Sequence, residues 1–101
     1  MKSGVVYLKL PQNAQVVNRK ILLKDVAEIY TADANIGKKI GELILYTVGG
    51  DKNQKLIFSV MKVVQLIQKE FPGLEVENIG EPDFVVEYKM PLAPKKGMEY
   101  T

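Results

Sequence analysis

The segment from Asn53 to Phe71 constrains this chain most, because it reads as a helix that cannot stand without a wide apolar partner. Lys55, Ser59, Lys62, Gln65 and Lys69 recur at helical intervals and line one face. Leu56, Ile57, Val60, Met61, Val63, Val64, Ile67 and Phe71 cover an arc approaching half the circumference, so the spacing predicts a helix laid on a sheet. Pro72-Gly73 stops it. Each aliphatic or aromatic side chain fully buried on that arc contributes about 1.5–3 kcal/mol. Phe58 and Leu66 fall among the polar positions, which assigns them to a second layer of core or to a contact surface.

Strand signals surround this segment. Val5 to Leu10 is rich in β-formers and is closed by Pro11, which has no N–H to give to a ladder. A further extended piece is expected around Val16-Val17, and another at Ile21-Leu22-Leu23. Asp25, with Glu28 three residues on, has the pattern of a helix cap and predicts a short turn that feeds an extended Ile29 to Ala32. Asp33 to Glu42, with Gly37 and Gly41, reads as a loop with a frayed helical turn. The near-unbroken apolar run Leu43 to Val48 predicts a strand buried on both faces, hence central in a sheet. Leu74 to Ile79 and Phe84 to Lys89, separated by Gly80-Glu81-Pro82-Asp83, predict a C-terminal β-hairpin with a four-residue loop. The expected fold class is α+β: a small mixed sheet packed on one long helix, with the hairpin from Leu74 to Lys89 at one side.

Length and composition set the outer bounds. At 101 residues, with 47% hydrophobic and 26% charged side chains, the chain suits one domain with one core. We place that domain at residues 1–90 and read 91–101, with its two prolines and two lysines, as a linker. The formal charge of +2 demands no polyelectrolyte, so nucleic acid is not an expected partner. With no cysteine, disulfides and thiolate metal sites are excluded. The N-terminus lacks the apolar stretch of a signal peptide, and the apolar run Leu56 to Ile67 is interrupted by Ser59, Lys62 and Gln65. The chain therefore reads as soluble.

Chemistry-bearing residues are few. Histidine is absent, which removes the usual general base near neutral pH, and neither Ser3 nor Ser59 lies in a G-x-S-x-G turn. We assign no catalytic residue, no cofactor and no metal ligand, and expect no enzyme. Gly37-Lys38-Lys39-Ile40-Gly41 lacks the residue order of a phosphate-binding loop. Glu75 and Glu77 share one face of a strand, where two carboxylates can approach a hard cation such as calcium or simply face solvent. They form a candidate acidic contact face. Lys55, Lys62 and Lys69 form a candidate contact with a partner protein or an anionic membrane surface.

Taken in order, Val6-Tyr7-Leu8-Lys9-Leu10, Leu22 to Ile29, Leu45-Tyr46-Thr47-Val48, Val60-Met61-Lys62-Val63-Val64, Pro72 to Val76 and Asn78-Ile79-Gly80 form a series of phrases. That series resembles the N-terminal region of the stage V sporulation protein AA family of spore-forming Firmicutes, over most of residues 5 to 89. The resemblance implies a soluble domain followed by two transmembrane helices beyond Thr101, which places the native protein in the spore inner membrane. It also implies that the domain works with other proteins of the same sporulation operon, in a complex that moves dipicolinic acid with calcium into the forespore and out at germination. The expected role is docking or organising those partners, and a homo-oligomer is also allowed. Two alternatives stand beside it: a regulatory module that senses an ion or ligand through Glu75 and Glu77, and a flagellar P-ring chaperone-like assembly domain, which the phrase Leu23 to Ile29 also resembles.

Overall fold

The computed structural model describes residues 4–90. Its elements, in chain order, are β1 (Val5–Lys9), β2 (Asn13–Val16), β3 (Lys20–Leu22), α1 (Leu23–Val26), β4 (Glu28–Thr31), α2 (Ala34–Gly41), β5 (Ile44–Thr47), β6 (Gln54–Ser59), α3 (Val60–Glu70), β7 (Glu75–Asn78) and β8 (Asp83–Tyr88). They form an α+β fold of two small mixed sheets, ordered β4-β1-β7 and β2-β8-β6, and one antiparallel pair, β3-β5. The segment read as a linker, 91–101, lies outside the described residues.

The organising feature is a pair of long parallel arms. β1 pairs with β7, Val5 opposite Glu75, and β2 pairs with β8, Asn13 opposite Val85. Between the two ladders, the N–H groups of Ile79, Glu81 and Val85 donate to the carbonyls of Leu8, Leu10 and Gln12 at 2.7, 3.1 and 3.0 Å, so pairing carries through the bend. Partners are 70 residues apart in the first ladder and 72 in the second. The slip is even, and because side chains alternate along a strand it preserves the inward face. Val6, Leu8, Leu10 and Val16 on one arm, and Phe84, Val86 and Tyr88 on the other, all enter the core.

At the bend the arms almost touch. A Cβ on Gly80 would lie 2.6 Å from the Leu10 carbonyl oxygen and 3.1 Å from the Lys9 carbonyl carbon, so only glycine fits. This approach also explains why β7 and β8, both present as expected, make no ladder with each other. The Gly80 to Pro82 stretch does not reverse the chain as a hairpin loop must. It follows the bend at Leu10-Pro11, and each strand spends its hydrogen bonds on the other arm.

The expected helix from Asn53 to Phe71 is half strand. β6 occupies Gln54–Ser59 and pairs antiparallel with β8, and α3 starts only at Val60. Lys55 and Ile57 point outward while Phe58 is buried against Phe84, with ring centroids 5.6 Å apart. Pairing with β8 along its whole length, with the β-formers Ile57 and Phe58 in the segment, overrides the local helical spacing. Phe58 therefore belongs to the core, and Leu66 packs against it from α3. The stop holds: the Phe71 N–H closes the helix on the Ile67 carbonyl at 2.8 Å.

Three smaller readings change as well. Asp25 is not the N-cap residue but the third residue of α1, where its carboxylate accepts the N–H of the N-cap Leu22 at 3.0 Å as the acidic half of a capping box. The segment read as a loop holds a true helix, α2 from Ala34 to Gly41, capped by Asp33, whose Oδ1 accepts the N–H groups of Asn35 and Ile36 at 2.9 and 3.2 Å. Its glycines permit close packing, since a Cβ at Gly37 would meet Thr31 Cγ2 at 3.1 Å and one at Gly41 would meet Lys24 Cβ at 3.3 Å. β5 pairs only with β3 and is not central: Leu45 is buried, while Ile44 and Tyr46 are exposed.

Gly80→Ala therefore destabilises the fold by about 2 kcal/mol or more, the cost of forcing overpacked backbone apart. Gly49, with open space around it, is the control, and Gly49→Ala shifts stability by less than about 1 kcal/mol. Urea unfolding of both variants measures the difference.

Candidate functional site

The structure separates the three candidate lysines. Lys55 projects from β6, and its Nζ lies 3.8 Å from Glu87 Oε2, a carboxylate that Lys89 also approaches at 3.7 Å. Lys62 and Lys69 stay together on α3. With Gln65 they rim a shallow groove of about 180 Å³ whose floor is Leu45 and Leu66, where α3 faces β5. Two cations over an apolar floor make this the candidate partner contact among the lysines. Lys55 drops out of that face because it sits on a strand, a change that helical spacing in the sequence concealed.

Glu75 and Glu77 do share a face, as alternation on β7 requires. The register sets Glu77 beside Tyr7 of β1, which in turn faces Tyr30 of β4, and sets Lys9 beside Glu28. The acidic pair thus belongs to a mixed face with aromatic and basic neighbours. No group of three or more His, Cys, Asp or Glu side chains suited to a metal occurs among the described residues. Lys38 and Lys39 occupy the last turn of α2, where carbonyls rather than N–H groups are exposed, so the 37–41 segment has no anion cradle.

A second cleft, of about 290 Å³, opens between α1 and the end of β1. Its rim carries Lys9, Lys24, Asp25 and Glu28 around Leu10, Pro11 and Val26. The size is at the lower limit for small-molecule sites. Asp25 is already engaged by the Leu22 N–H.

One titrating group on the mixed face is shifted. The Tyr30 phenol donates to the Glu28 carboxylate. That bond is the largest cause of a raised Tyr30 pKa, followed by desolvation and the Glu28 charge. Ionising the phenol loses the bond and sets two negative charges side by side. With the folded-state pKa raised, the stabilising contact is fully present below the unfolded value and is lost as pH rises through the folded one. Sequence reading missed this pair, although Glu28 and Tyr30 at i and i+2 of a strand share a face and were open to detection.

The sequence profile described as stage V sporulation protein AA matches residues 3–91 of the chain. Among solved structures, a crystal structure of a functionally unknown protein from Eubacterium ventriosum ATCC 27560 is similar, with a TM-score of 0.80 and 27% identity over 88% of this chain and 97% of that one. No curated protein matches.

In a spectrophotometric titration, Glu28→Gln moves one tyrosine transition down toward the ordinary value of about 10. A titration curve indifferent to this substitution contradicts the Tyr30–Glu28 pairing.

Proposed function

Because the chain belongs to the stage V sporulation protein AA family, with residues 3–91 matched to it, we propose that this domain is a non-enzymatic contact module of a sporulation membrane complex. Its work is to dock onto or organise other proteins of the same operon, in the spore inner membrane, where the complex moves calcium and dipicolinic acid into the forespore and out at germination. The family match is the observation that carries this reading. The α3 groove supports it: Lys62 and Lys69 flanking Leu45 and Leu66 suit an acidic segment with apolar anchors, charge at the rim and apolar contact beneath.

Docking by this groove predicts that the domain, co-expressed with membrane proteins of its operon, co-purifies with one of them. Lys62→Glu combined with Lys69→Glu abolishes that association without altering the fold, because both side chains are exposed. Lys55→Glu leaves it intact. Retention of the partner by the Lys62/Lys69 double variant overturns the groove assignment. Calorimetric titration with calcium and dipicolinate separates docking from sensing: saturable heat at micromolar ligand that disappears with Glu75→Gln and Glu77→Gln would establish the sensor instead.

A further inference from the structure

The phase of the β6–β8 ladder exposes a second surface, independent of the α3 groove. The Val60 N–H donates to the Pro82 carbonyl at 2.7 Å, which continues the β6–β8 register by one position. Hydrogen-bonded pairs alternate along an antiparallel ladder, so those within it are Phe58 with Phe84, Leu56 with Val86 and Gln54 with Tyr88. On the other side of β8 the N–H groups of Val85 and Lys89 bond to the first arm, as this phase requires. It follows that the N–H and C=O of Lys55 and Ile57, and the N–H of Ser59, point away from β8. β6 is the outer strand of its sheet, and none of these groups has a backbone partner among the described residues. Ile57, at their centre, is 73% exposed, more than any other large apolar residue described.

We propose that this edge pairs with the β6 edge of a second copy of the chain, antiparallel about a two-fold axis through Ile57. The strand Gln54–Ser59 is self-complementary in that register. Ile57 meets Ile57 of the second copy and exchanges both backbone bonds with it, and the Ser59 N–H reaches the Lys55 carbonyl. On the inner face Leu56 meets Phe58. Charge fixes the register: with the axis at Ile57, Lys55 lies opposite a neutral serine, whereas a slip of the axis to Lys55 would set lysine against lysine, a destabilising arrangement. Each Lys55 keeps Glu87 on its own sheet. The product is a continuous sheet β2-β8-β6 joined to its copy, with the exposed edge removed, in the isologous geometry of a two-fold dimer.

The test uses the 101-residue chain. Sedimentation equilibrium should show a concentration-dependent dimer, and Ile57→Lys, which changes an outward side chain, should raise the dissociation constant at least about tenfold while leaving the circular dichroism spectrum unchanged. A second variant does not depend on loss of association. Hydrogen-bonded antiparallel partners have Cα atoms about 5.5 Å apart, within the range a disulfide spans. With no native cysteine to compete, Ile57→Cys should cross-link to dimer under mild oxidation at least about tenfold faster than Val17→Cys, which is also exposed. A chain that stays monomeric at hundreds of micromolar, a dimer indifferent to Ile57→Lys, or equal cross-linking at Ile57 and Val17 overturns the proposal. None of these outcomes bears on the α3 groove, which is tested by co-purification.

Discussion

The backbone of Gly80 runs so close to that of Leu10 that no side chain fits between them, and the rest of the fold depends on this contact. It lets the two arms bend together. A parallel ladder starts at Val5 and Glu75, passes the bend and continues to Val16 and Tyr88 without changing which side chains face inward. Were the arms held apart at the bend, the bonds from Ile79 and Glu81 to Leu8 and Leu10 would be lost, and Val6 and Leu8 would no longer share a core with Phe84 and Val86. Pro11 and Pro82 suit the place, since neither has an N–H to leave unsatisfied there.

Local features of this architecture were legible in the residues. β-formers ended by Pro11 gave the first strand, Pro72-Gly73 gave the end of α3, and the α+β class followed from strands on either side of an amphipathic helix. Pairing was not legible, and it decided the rest. Lys55, Ser59 and Lys62 fit one helical face, while Leu56, Ile57 and Phe58 are three apolar residues in a row with no alternation to mark a strand, and only β8, distant in sequence, selects it. Gly80 to Asp83 has the composition of a hairpin loop, and nothing local shows that its neighbours will pair with residues 70 or more positions away.

The same misreading moved the candidate site. A helix through residue 69 put Lys55, Lys62 and Lys69 in one row. A strand to Ser59 leaves Lys62 and Lys69 over the α3 groove and hands Lys55 to Glu87. It also turns Ile57 from a presumed core residue into the most exposed large apolar side chain described, at the middle of an unpaired edge. The two proposals thus rest on two distinct surfaces of this domain. The groove is charged and suits a different protein, and the edge is self-complementary and suits a second copy.

Native-state amide exchange followed by NMR tests most directly the claim that the paired arms hold the fold together. If they do, the amides of Ile79, Glu81 and Val85, which cross between the arms, exchange only through global unfolding and are as slow as any in the protein. Exchange of these amides by local opening, faster than that of the α3 residues Val63 and Ile67, would contradict it.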